Sequence, residues 1–130
     1  MRRYVLDTTV LIACEAGLEP AASRVLELLE AGHELCACAV TLAEFYTGAP
    51  RGSNPRMDAF LDSLTYLDMT REIAVTAGAI RHAARARGRR HGTPDALIAA
   101  LARHSAATVL TANLRDFAVD DASVEPLSGA

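Results

Sequence analysis

Short apolar runs alternate along this chain with helix-forming stretches that have clear starts and stops. Tyr4–Leu6 reads as a short buried strand, followed by a helix over Val10–Glu15 that ends near Gly17. Pro20–Glu30 carries Ala21, Val25, Leu28 and Leu29 at helical spacing, with Gly32 as the stop. Leu35–Val40 suits a second buried strand. Thr41 then suits an N-cap for a helix through Glu44 to Tyr46, closed by Gly48. Asn54-Pro55 places a cap before a first-turn proline and starts a helix to about Leu64. Leu67–Met69 fits a short strand. Thr70 caps a long helix from Arg71 to about Arg87, stopped by Gly88. Thr93-Pro94 repeats the cap-plus-proline signal before a helix over Asp95–His104, and Thr108–Thr111 and Val124–Leu127 complete the strands. Strands alternating with helices predict an α/β fold whose parallel sheet is covered on both faces. Ligand sites in such sheets lie at the C-terminal ends of the strands.

The chain has 130 residues, a length that fits one domain over 1–130. Hydrophobic residues make up 51% and charged residues 22%, which supports a buried core. Aromatics are 5% and Trp is absent, so that core must be aliphatic. All 13 basic residues are arginine. Chemistry that needs a catalytic lysine is excluded, and with it P-loop NTPases and phospho-receiver domains. The net charge of -3 gives no global attraction to nucleic acid, so such binding requires a local basic patch. Cys14, Cys36 and Cys38 form no C-x-x-C pair and sit in apolar contexts, as small buried thiols do in a reducing cytosol. Asp7 interrupts the one stretch that could serve as a signal peptide, and no apolar run reaches membrane-spanning length. The expectation is a soluble, cytoplasmic protein without a membrane partner.

The acidic residues fall at informative places. Asp7 ends the first strand, Glu44 lies one turn into the helix after the second, and Asp95 opens a helix. Asn113 and Asp116 follow the Thr108–Thr111 strand. In a parallel sheet the first two and the last pair share one edge, and the start of the Asp95 helix can face it. Each has an ordinary role open to it. Asp7 can cap a helix, Asp95 can complement a helix dipole, and Asp116 can be a solvated loop acid. Glu44 can be solvated too, although Leu42, Ala43, Phe45 and Tyr46 give it an apolar setting. Capping alone does not account for the joint pattern. Two like charges about 4 Å apart cost roughly 4 kcal/mol at an effective dielectric near 20. Protons or divalent cations must relieve that cost. Clustered carboxylates with hydroxyl and amide neighbours suit hard Mg²⁺ or Mn²⁺. His33, His82, His91 and His104 form no H-x-x-x-H zinc spacing.

Between Arg81 and His91 the chain reads RHAARARGRRH, with five arginines, two histidines and no acid. It suits either a solvated helix end or a phosphate-binding patch, in which Arg85, Arg87, Arg89 and Arg90 would meet RNA.

Four blocks, VLDTTVLIA, AVTLAEFYTG, TPDALIAALA and VLTANLRDF, resemble the PIN-domain nucleases, and most of all the VapC-type toxins of toxin–antitoxin pairs. The blocks span nearly the whole chain in the family's order. The resemblance implies a three-layer α/β/α domain with a short parallel sheet and Mg²⁺- or Mn²⁺-dependent ribonuclease activity that leaves a 5′-phosphate and a 3′-hydroxyl. Residue by residue, it places Asp7, Glu44 and Asp95 at the acidic metal-site positions. Thr8 or Thr9 takes the hydroxyl position beside the first Asp, and Thr111 the polar position ending the later strand. The fourth acidic position holds Asn113, with Asp116 one turn later able to substitute or help. The resemblance further implies a homodimer and a cognate antitoxin, whose arginine could enter the acid cluster. Leu11, Phe45 and Tyr46 are the apolar groove residues that would bury the rest of the antitoxin segment. A haloacid-dehalogenase-type phosphohydrolase is disfavoured, because Thr9 stands where that family needs a second Asp. A binding domain with a lapsed metal site is the remaining alternative.

Overall fold

The computed structural model describes residues 1–117 and 124–127. Its elements run β1 (Arg3–Leu6), α1 (Thr8–Glu15), α2 (Ala21–Glu30), β2 (Glu34–Cys38), α3 (Ala39–Gly48), α4 (Pro55–Ser63), β3 (Thr65–Leu67), α5 (Arg71–Ala86), α6 (Thr93–His104), β4 (Thr108–Thr111), a 3₁₀ turn (Leu114–Phe117) and β5 (Val124–Pro126). The five strands form one sheet in the order β3-β2-β1-β4-β5, and every pairing is parallel.

Alternate residues of each central strand feed two cores. Tyr4, Leu6, Leu35, Ala37 and Leu110 face one side, with Val10, Val25, Leu28, Phe45, Met57 and Leu61 from α1 to α4. Val5, Cys36, Cys38 and Val109 face the other, with Ile73, Ala77 and Ile80 of α5 and Ile98 and Leu101 of α6. Burial on both faces explains why these strands read as continuous apolar runs. The result is the expected three-layer α/β/α arrangement.

Several boundaries differ from the sequence expectation. α1 begins at Thr8, not Val10, so Thr8 and Thr9 lie in its first turn. β2 ends at Cys38, and Ala39 and Val40 are already helical. Thr41 is therefore not the N-cap of α3. It sits at the third helical position, where its Oγ1 accepts from the Cys38 N–H at 3.2 Å in a capping box. Gly92, not Thr93, is the N-cap of α6, which places Pro94 in its first turn. The β3 strand is Thr65–Leu67 rather than Leu67–Met69, because Thr65 pairs with Cys36 and Leu67 with Cys38.

One helix end matters for the site. α5 closes in a Schellman motif: the Gly88 N–H donates to the Arg85 carbonyl at 2.9 Å, and the Arg89 N–H to the Ala84 carbonyl at 2.9 Å. Gly88 has φ +71° there, a left-handed conformation that L side chains resist. The reversal returns Arg89 and Arg90 to the last turn of α5.

Candidate active site

The strand order diverges at β1, with β2 and β3 laid down on one side and β4 and β5 on the other. The crevice at the C-terminal ends of β1 and β4 is thus the topological switch point, the usual ligand position in open α/β sheets. Asp7 leaves β1 there and is 3% exposed. Its backbone is fixed first, with its N–H donating to the Leu110 carbonyl at 2.9 Å and its own carbonyl accepting from Val10 N–H.

Two hydroxyls then fix the carboxylate. Thr9 Oγ1 and Thr111 Oγ1 each donate to Asp7 Oδ2 at 2.8 Å. Both hydroxyls are themselves anchored by backbone. Thr9 Oγ1 accepts from Ala112 N–H at 3.0 Å and Thr111 Oγ1 from Asn113 N–H at 2.9 Å. Thr8 serves a different acid, donating to Glu44 Oε1 at 2.7 Å. Both threonines beside Asp7 are therefore used, each for its own carboxylate.

Glu44 corrects one expectation. It is exposed, because the period of α3 turns Thr41 and Phe45 inward and Glu44 outward. Leu11 and Phe45 are likewise unavailable as groove walls. They are 0% and 3% exposed within the core, while Tyr46 stays half-buried.

Asp95, in the first turn of α6, faces the same crevice. Burial pushes its carboxyl up to about 6, the charges of Asp116 and Asp7 push the same way, His91 opposes them, and Glu44 adds to the rise. Burial also pushes Asp7 up, partly offset by the Thr9 and Thr111 hydroxyls, and Asp116 adds to the rise. Asn113 is exposed and donates through Nδ2 to Asp116 Oδ2 at 2.9 Å, which turns the amide into a holder of Asp116.

These are oxygen donors with surplus negative charge, the set that hard divalent cations prefer. Among the described residues, no three His, Cys, Asp or Glu side chains stand close enough to make a ready-built cation cage. The donors fit Mg²⁺ in kind, since that ion keeps several waters and is held through one or two carboxylates.

A cavity of about 460 Å³ opens beside the acids, lined by Arg89, Arg90, His91, Asp95, Arg115 and Asp116. A second, of about 510 Å³, is lined by Arg81, Arg85, Arg89, Arg90, His91 and Gly92. Of the arginines singled out in the sequence, Arg85, Arg89 and Arg90 are thus brought together. Arg87 is the C-cap of α5 and lines neither cavity. Sequence reasoning passed over Arg81, His91 and Arg115 as site residues. The spacing of Arg81 four residues before Arg85 was the available signal for one shared helix face. For Arg115 and the buried His91 no comparable signal existed.

A PIN-domain sequence profile matches residues 4–121. The Haemophilus influenzae protein named Ribonuclease VapC2 is 31% identical over 126 residues, covering 90% of this chain and 91% of that protein. The Shigella flexneri protein named tRNA(fMet)-specific endonuclease VapC is 30% identical over 122 residues, covering 90% and 91%. A Klebsiella pneumoniae toxin–antitoxin complex contains a chain that superposes with a TM-score of 0.76 at 25% identity, covering 94% of this chain and 96% of that one. The profile match across residues 4–121, the similarity to VapC ribonucleases and the parallel sheet with acids at its switch point agree: this chain belongs to the PIN-domain family.

Proposed function

We propose that this chain is a Mg²⁺- or Mn²⁺-dependent endoribonuclease, the toxin of a toxin–antitoxin pair, working as one PIN-like unit over residues 1–130. The observation that carries this reading is the gathering of Asp7, Asp95 and Asp116, with Glu44, around the switch point, where Asp95 is pushed up to about 6. That position disfavours charge unless a ligand offsets it.

Asp7 and Asp95 would hold the cation, with Asp116, Asn113 and Glu44 at its margin. When bound, it lowers the pKa of the attacking water and offsets charge on the phosphate. Thr9 and Thr111 orient Asp7, and Thr8 orients Glu44. Arg89, Arg90 and Arg115, which line the cavity with Asp95 and Asp116, would seat RNA phosphates without choosing sequence. The names of the VapC relatives support RNA as the substrate.

The antitoxin belongs to the same reading. Ile12, Leu18, Leu26 and Leu29 are 45–59% exposed on and beside α1 and α2, and they suit an apolar partner segment. A guanidinium from that segment fits the acid cluster. A homodimer and a cytoplasmic location complete the reading. Among the described residues, no helix is long and apolar enough to cross a membrane.

Purified chain incubated with tRNA and Mg²⁺ or Mn²⁺ should cleave it, EDTA should stop cleavage, and co-expression with the product of a small neighbouring reading frame should suppress it. No cleavage with either ion would refute the enzyme. Asn113 at the fourth acidic position, together with the spacing of the acids, favours one other reading: a binding domain with a lapsed site. Calorimetric titration separates the two, because a lapsed site leaves Mn²⁺ unbound.

A further inference from the structure

The two cavities around His91 share four lining residues but differ in charge. The one beside the acids mixes three arginines with Asp95 and Asp116. Among the described residues, the other is lined by four arginines, Arg81, Arg85, Arg89 and Arg90, and by no acid. Four guanidinium groups around one cavity repel each other, so the cavity is held together by the fold rather than by its charges.

Three local features hold it. Arg81 and Arg85 lie four residues apart on one face of α5. The Schellman motif at Gly88 brings Arg89 and Arg90 back against that face. Arg81 Nε donates to the His91 carbonyl at 2.9 Å, which fixes its guanidinium and ties the segment before α6 to α5. The first two are ordinary for a helix end, whereas the Arg81–His91 bond is a tie that a solvated helix end would not need. The mixed cavity suits a phosphate together with a cation. The arginine-rich cavity suits an anion alone.

We propose that the arginine cavity is a subsite for a second phosphate of the RNA chain, next to the phosphate cleaved at the acids. The proposal rests on the ribonuclease reading. Because Arg89, Arg90, His91 and Gly92 border both cavities, one strand can run from one to the other without leaving the surface. The enzyme then grips its substrate beyond the scissile bond on the side of Arg81 and Arg85. Cleavage depends on a nucleotide there, and Arg85 acts on substrate affinity rather than on the chemical step.

The test measures binding of a short single-stranded RNA to the full chain in EDTA over a range of salt concentrations. It compares the wild type, Arg85→Ala, and Arg71→Ala at the far end of the same helix. Arg85→Ala should weaken binding about tenfold and lower the salt slope by about one, whereas Arg71→Ala should change neither. With Mn²⁺, Arg85→Ala should raise KM about tenfold and leave kcat within about twofold. Equal binding and equal slopes for the two variants would overturn the subsite, as would wild-type protein that binds no RNA. Binding that follows the prediction without any cleavage would instead overturn the ribonuclease reading and leave the subsite standing.

Discussion

The two ends of the sheet treat acidic residues in opposite ways. Towards the N-terminal end, Arg3 Nε donates to Glu34 Oε1, and Arg2, just before β1, donates to Glu125 Oε1 at 2.7 Å. Arg3 holds the Glu34 carboxyl below the usual range. At the C-terminal end burial pushes the Asp7 and Asp95 carboxyls up, and the charge of Asp116 adds to both. Opposite charges side by side are a modest source of stability. Like charges gathered in partial burial cost stability, a pattern that suits a ligand that offsets the cost. On the proposed reading, the end that gathers like charges is the functional one and the ion-paired end is structural.

Breaking the functional end should have the largest effect. Asp95→Asn should lower cleavage on the order of 100-fold or more and remove most Mn²⁺ affinity, measured by RNA cleavage and calorimetry. Unchanged Mn²⁺ affinity would remove Asp95 from the metal site.

Next comes the support of Asp7. Thr111→Val removes one of the two hydroxyls on a buried carboxylate and should cost about 1–3 kcal/mol in chemical denaturation. It should also push the Asp7 carboxyl higher, so that Mn²⁺ binds only at higher pH.

A smaller effect, of opposite sign, is expected near the structural end. α6 closes with the Ala107 N–H donating to the Ala102 carbonyl at 2.9 Å, and Ala106 occupies the left-handed position with φ +51°. Ala106→Gly should therefore stabilise the protein by about 1 kcal/mol, and a loss of stability would show that this strain is absent.

The smallest effect should come from the structural acids themselves. Glu34→Gln should shift the melting temperature by about 2 °C or less and leave cleavage unchanged, because its pair with Arg3 is partly solvated. A large loss would mean that the two ends differ less than their geometry implies.

The alternation of strands and helices was legible because the central strands are buried on both faces and the helices carry strong stops at Gly17, Gly32 and Gly88. Boundaries failed where one residue type serves two roles. Ala39 and Val40 suit a buried strand as well as a helix start, so the sequence points to Thr41 as the cap, whereas its hydroxyl is the reciprocal partner of Cys38. Thr93-Pro94 hid its true cap because Gly92 offers no side chain to signal one. Among the candidate site residues, Asp7 and Asp116 could be placed from the strand ends they follow, and Asp95 from the helix start it occupies. Glu44 could be placed but not oriented, since its apolar sequence neighbours point away from it in space. The arginine cavity depends on a chain reversal, and sequence spacing predicts that Gly88 stops a helix without showing where Arg89 and Arg90 land.

The central claim, that burial and the neighbouring acids together disfavour charge at the switch point until a cation arrives, is tested most directly by melting temperatures across pH for the wild type and Asp95→Asn. The folded Asp95 carboxyl lies near 6 against an ordinary value of 3.8, so the folded state holds its proton more tightly. The stability this contributes is fully present below about pH 4 and is lost as pH rises through about 6. In EDTA, Asp95→Asn should therefore gain on the wild type across that window. At pH 7, Mn²⁺ should reverse the order by raising the wild type alone. A gap that stays constant with pH in EDTA, or a wild-type melting temperature that Mn²⁺ leaves unmoved, would contradict the account.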